Sequence, residues 1–240
     1  MQDFFANCAT VLQKYGFSYL RGAGTTLLLA LVGTFFGCLI GFAVGALQTI
    51  PVDKQRDPVW KRVLLKILHI FLRCYVELFR GTPMIVQAVF IYYGLLQVFG
   101  IKMGMWQAGF FIVSINTGAY MAETVRGGIV SIDPGQTEGA KAIGMNHWQT
   151  MLHVILPQAL RTAFPTLAST LIAMVKDTSL AANITVTEMF MTTQRIVART
   201  YEPLALYIEV GLVYLLFCTV LTRLQAVGER YLNSKGAQRS

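Results

Sequence analysis

The side chains able to do chemistry in this 240-residue chain are few, and most interrupt apolar stretches. Glu77 and Arg80 lie three residues apart, as do Glu123 and Arg126, a spacing that puts each pair on one face of a helix. Lys176 and Asp177 are adjacent and so point to different helix faces; with Thr178 and Ser179 they make a polar cluster. Asn116 and Thr117 fall midway along another apolar run. Polar and ionisable groups inside a membrane-crossing segment are costly and are functional candidates by default. Asn116, Thr117, Lys176, Asp177, Thr178 and Ser179 are therefore candidates for a polar path through the bilayer. Glu77, Arg80, Glu123 and Arg126 are candidates for structural ion pairs or gating charges.

Other chemistries find no support in the residue pattern. His69, His147 and His153 lack metal-ligand spacing, and no metal site is expected. Cys8, Cys38, Cys74 and Cys218 form no CxxC pair, and most lie in apolar surroundings, as small buried hydrophobes do. No GxxxxGK[ST] sequence is present to cradle nucleotide phosphates. Neither HExxH nor a convergent Ser/His/Asp set stands out. The chain reads as non-catalytic, with no cofactor of its own. A net charge of +8 would suit nucleic acid in a soluble protein, but no basic patch interleaved with aromatics lies on a polar face, so nucleic acid is not an expected partner. The N-terminus lacks the basic and apolar regions of a cleavable signal peptide.

The elements that hold these residues are set by the surrounding composition. The chain is 55% hydrophobic and 13% charged, against roughly 25% charged in a soluble domain. Apolar runs near the ~20 residues that span a bilayer recur along it. The expected fold is an all-α integral membrane protein, a single domain over residues 1–240. Crossings are placed at about 22–47, 84–99, 107–123, 159–180 and 204–224. An amphipathic helix before residue 84 approaches along the interface and ends at a Gly-Pro bend near Pro83. Residues 181–203 are mixed in character.

With the N-terminus outside, the inner loops would hold Lys54, Arg56, Lys61, Arg62, Lys66, Arg126, Lys141, Arg161, Arg223, Arg230, Lys235 and Arg239. The outer segments would hold only Lys14, Arg21, Lys102, Arg195 and Arg199. That bias favours an N-out, C-in chain of five crossings. Gly33, Gly37, Gly41 and Gly45 recur every fourth residue in the first crossing, so one face is bare and another helix backbone can approach closely.

The same orientation puts residues 138–157, EGAKAIGMNHWQTMLHVILP, in the cytoplasm. The segment is too polar to cross and too patterned for a slack loop. Its small residues Gly139, Ala140, Ala142 and Gly144 would admit a partner surface. Glu138 would sit near a helix N-terminus, where negative charge is favoured. Met151, Leu152, Val154 and Ile155 would hold the next turn to the bilayer, and Pro157 would open the following crossing, where a missing amide costs little. These features describe a docking helix joined mechanically to two membrane helices.

Glu138-Gly139-Ala140, then Gly144, then Val154-Ile155-Leu156-Pro157 resembles the EAA loop of ABC importer membrane subunits, departing from it at Gly139 and Val154. The stretches ELFRGTPMIVQ, AYMAETVRGGI, DPGQTEGAKAIGM and MVKDTSLAANITVTEM are similar to the polar amino acid uptake branch of that family. The resemblance implies a permease for amino acids or related solutes, working by alternating access in a prokaryotic cell membrane. It implies two ABC ATPase subunits that carry the ATP and Mg, a second permease copy or paralogue, and an extracytoplasmic solute-binding protein. It also implies that Glu138, Gly139, Ala140, Gly144 and Pro157 couple the chain to the ATPase. The competing class is an ion-coupled secondary transporter or channel for small polar solutes. Such proteins often carry internal repeats; none stands out here, and the EAA-like segment would be unexplained.

Overall fold

The computed structural model describes residues 2–52 and 57–237, with side chains from residue 10 to residue 231 apart from 11 and 12. Lys54, Arg56 and Arg239, and the side chains of Cys8 and Lys235, lie outside what is described. Among the described residues the regular structure is entirely helical.

The first helix, α1, runs from Gln2 to Gln48. At 1.5 Å per residue it is about 70 Å long, far more than the ~30 Å hydrocarbon layer needs. The helix α2, Val59–Gly81, is amphipathic and ends where Thr82 takes an extended backbone before Pro83. Residues preceding proline are driven out of the helical region, and the ring removes an amide donor. The chain restarts as α3, Met84–Val89, and continues through a widened turn at Phe90–Gly94 into α4, Leu95–Phe99. The chain bends by 110° between the two arms.

Next comes α5, Met105–Val130, much of it buried. The glycine face of α1 lies along it. A side-chain carbon added at Gly37 would come 2.7 Å from Thr117 Cβ, and one at Gly45 would come 2.7 Å from the carbonyl oxygen of Ala122. Gly33 and Gly41 meet Val113 and Met121 in the same register. The close neighbour of the stripe is thus a helix of the same chain.

After α5 come a short helix α6, Pro134–Ala142, and α7, His147–Thr150. A π-helical turn, Met151–Ile155, carries α7 into α8, Leu156–Asp177. A 3-10 segment, Thr178–Ile184, leads to α9, Met189–Thr200, and the chain closes with α10, Pro203–Ala237. So the region 181–203, mixed by composition, contains a helix.

Among the described residues two helices, α1 over Gln13–Gln48 and α10 over Pro203–Tyr231, are long and apolar enough to cross a membrane; the bent pair α2 to α4 makes a third if counted as one span. The stretches expected to cross at 107–123 and 159–180 are helical but are not among the helices that meet that test, and much of the surface of α5 is turned into the bundle.

Candidate functional site

The loop between α5 and α8 is built turn by turn from its own residues. Asp133 precedes α6 and its Oδ1 accepts from the Gly135 amide at 2.7 Å, with Pro134 in the first turn. The helix therefore starts earlier than expected. Glu138 sits in its middle, and Asp133 takes the N-terminal position expected for Glu138. Glu138 and Gly139 are exposed, and a side chain at Gly139 would meet nothing within 4 Å. Ala140 faces inward and is buried.

Gly144 ends the helix. Its φ of 84° is left-handed, a conformation that glycine adopts without the Cβ penalty. The Met145 amide reaches back to the Ala140 carbonyl and the Gly144 amide to that of Lys141, both at 3.0 Å, the paired bonds that satisfy a helix C-terminus. Asn146 then starts α7: its side chain accepts from the Gln149 amide, and the Gln149 side chain accepts from the Asn146 amide, each at 2.9 Å.

From α7 the chain is helical without interruption to Asp177. Pro157 stands in the first turn of α8, as expected, but the π-turn before it makes the helix continuous with α7. It has no amide for the carbonyl four residues back and crowds it; the π-turn just before it is where the helix widens. Met151, Ile155 and Ala159 pack with Val125 and Ile129 of α5, and Phe42 of α1 adds to the cluster. Gln158 donates to Gln136 Oε1 at 3.2 Å, tying the root of α8 to α6. An exposed helix is thereby fixed beside the adjoining ends of α1, α5 and α8. Burial, with Lys141 and Lys61 nearby, holds the His147 imidazole below the usual histidine range.

The charged candidates pair differently from their sequence spacing. Arg126 chelates Glu123, with Nη2 at 2.5 Å and Nε at 3.1 Å. Arg80 reaches across to the same carboxylate at 3.8 Å, and its guanidinium lies 5.8 Å from the Tyr120 ring. Glu77 makes no ion pair within 4 Å among the described residues. All four charges border one cleft of about 410 Å³ between α2 and α5.

The polar-path candidates separate. Asn116 and Asp177 border a second cleft of about 480 Å³, together with Thr82, Tyr120, Thr166 and Thr170. Lys176 is exposed and outside it. Thr117 and Thr178 are fully buried: Thr117 lies under Gly37, and Thr178 donates to the Val175 carbonyl at 2.9 Å. Neither they nor Ser179 line that cleft.

Two features escaped the sequence reading. At the Pro83 corner, Gln87 donates to the carbonyls of Phe79 and Thr82 at 3.0 and 2.9 Å, and Asn116 donates to Gln87 Oε1 at 2.8 Å. The carbonyls orphaned by the break are thus satisfied, as a helix interrupted within an apolar bundle requires. The second feature is Glu188, fully buried at the start of α9. Its carboxylate accepts from the amides of Phe190 and Met191, from Tyr214 of α10 and, at 3.4 Å, from Thr26 of α1. Burial raises its pKa despite those donors. A lone acid in NITVTEMF gave no hint of this, because two of its partners are distant in sequence.

A helical bundle with membrane-length apolar helices, a broken helix and an exposed helix rooted beside several of them is the architecture of an integral membrane protein. The sequence profile of the family described as "Binding-protein-dependent transport system inner membrane component" matches residues 60–233, and the chain belongs to that family. It is an ABC importer permease. The L-cystine transport system permease protein TcyB of Bacillus subtilis is 41% identical over 160 residues, 66% of this chain and 68% of that protein. The glutamine transport system permease protein GlnP of Escherichia coli K12 is 34% identical, covering 85% of this chain and 87% of its own length. A solved structure described as an amino acid ABC transporter with histidines superposes with a TM-score of 0.81 at 30% identity, covering 92% of this chain and 97% of that one. An inward-facing form of the MetNI methionine ABC transporter shares the fold, with a TM-score of 0.72 at 21% identity and coverage of 89% and 95%.

Proposed function

We propose that this permease imports a polar amino acid or a closely related amino compound, and that residues 134–150 are its seat on a separate ABC ATPase. The observation that carries the reading is the exposed helix α6, closed by left-handed Gly144 and continued through α7 into α8. Glu138, Gly139, Ala140 and Gly144 are its coupling positions, with Pro157 marking where the segment enters the bundle. The amino acid assignment rests on the relatives, whose printed names include cystine and glutamine systems. Asn116 and Asp177, which share a cleft with threonine hydroxyls and Tyr120, are the best-placed polar contacts for a zwitterion.

In this reading the chain crosses a prokaryotic cell membrane five times, N-terminus outside, as one domain. It pairs with a second permease, seats two ATPases that carry ATP and Mg, and receives solute from an extracytoplasmic binding protein. ATP-driven closure of the ATPases moves the α6 segments, and the cleft exchanges its outward for its inward opening. The Arg80–Glu123–Arg126 cluster sits where α2 meets α5 and would bear on that exchange.

The test is co-purification from the native membrane. An ABC ATPase should come with the unaltered chain and be lost with Glu138→Arg and with Gly139→Trp, which places a large side chain on open surface. An ATPase that remains with both variants would remove the coupling assignment. A chain that brings no ATPase at all would remove the proposed assembly.

A further inference from the structure

An open groove of about 710 Å³ runs along α2. On one side it is lined by Arg62, Lys66, His69 and Arg73, spaced so that they share a helix face. On the other side lie Val59, Val63 and Ile70. No carboxylate is among the described residues that line it. The outer stripe of the same helix, Trp60, Leu64, Ile67 and Phe71, is exposed and apolar, between 57% and 69% accessible. Such a stripe on a helix of an integral membrane protein faces acyl chains, and a terminal Trp suits the headgroup level. The groove therefore offers cations and an apolar wall side by side, next to the lipid phase.

We propose that this groove is a binding site for one anionic phospholipid, whose phosphate is held by Arg62, Lys66 and Arg73 and whose acyl chain lies on Val59, Val63 and Ile70. Basic pockets beside membrane helices recognise acidic headgroups in this way, and the described lining residues give the ammonium group of a zwitterionic lipid no carboxylate to pair with. The groove opens toward the charged cleft: His69 and Arg73 line both, and Arg80, Glu77, Glu123 and Arg126 lie beyond. His69 also bonds the Leu47 carbonyl at 3.1 Å, fixing α2 to the end of α1. A lipid seated here would bear on the α1–α2 junction and on Arg73 at the mouth of the charged cleft. Its placement in the cytoplasmic leaflet rests on the orientation given under Proposed function.

The test is native mass spectrometry of the complex extracted from its membrane, titrated in detergent with phosphatidylglycerol or phosphatidylcholine. The unaltered chain should retain one more phosphatidylglycerol than phosphatidylcholine. The variant Arg62→Gln/Lys66→Gln/Arg73→Gln should lose that extra lipid, each neutralised charge weakening retention about fivefold, whereas Lys66→Arg should keep it. Equal retention of the two lipids, or unchanged retention in the triple variant, overturns the proposal. Displacement of the bound lipid by millimolar inorganic phosphate would make the groove a free-anion site and would also overturn it. The detergent readout does not depend on sidedness. Labelling of a Val52→Cys variant by an impermeant reagent in intact cells tests the orientation separately, so the two failures can be told apart.

Discussion

Gly144 and His147 set the shape of the α6–α7 segment through different physics. At Gly144 the constraint is the backbone alone: φ is 84°, and no atom stands within 4 Å of where a side chain would begin. Gly144→Ala should therefore cost about 1 kcal/mol from left-handed strain, with no clash to add to it. In differential scanning of the purified complex that is a loss of about 2–4 °C. A variant that melts with the native chain would mean that the strain is relieved by refolding of the turn. At His147 the constraint is charge. The folded value is depressed by burial and by Lys141 and Lys61, so the stability this group contributes is present above the ordinary histidine range and lost as pH falls through the folded value. Amide exchange across 134–150, corrected for its intrinsic rate, should rise as pH is lowered from 8 to 5. His147→Gln should flatten that rise, and an identical pH profile in the variant would show that another group controls it.

Among the elements, the α1–α5 contact depends most on what is missing from it. The glycine period was readable in the sequence because register is local, but the partner was not, since that is decided by packing across 80 residues of chain. Gly41→Ala drives a carbon into Met121 and the backbone behind it and should cost about 1–3 kcal/mol. Gly24→Ala, where nothing lies within 4 Å, should instead stabilise the same helix by about 0.5–1 kcal/mol. Thermal unfolding of the two variants side by side separates close packing from helix propensity; equal shifts would dismiss the packing account. The same division explains other successes and failures of the sequence reading. The bend at Pro83 and the caps of α6 and α7 are written in adjacent residues. The hydrogen bonds that make the bend tolerable come from Gln87 and from Asn116 on another helix. The Glu188 carboxylate joins α1, α9 and α10. Pairings across the bundle have no local signature, so Arg80 was matched with Glu77 by spacing while in space it reaches Glu123.

For the molecule as a whole, the bundle divides into parts that cannot slide and joints that can. At the α1–α5 interface the glycine stripe leaves no side chain at its α1 positions to rearrange. The corner between α2 and α3 and the turn at Met151–Ile155 are two of the places where helical regularity is broken. The second of these joints is also a matter of angular phase. A helix turns about 100° per residue, and a π-turn carries one residue more than the regular count. The α6–α7 segment is thus rotated about the α8 axis by roughly that angle from where an unbroken helix would aim it. Phase, unlike distance, can be altered by a single deletion. Removing Leu152 should leave the membrane part assembled and turn the α6 surface away from its partner. The chain would still be recovered from the membrane, but the ATPase would be lost from the pull-down. If the ATPase stayed, the direction in which the segment points would be irrelevant to coupling, and only its reach would count.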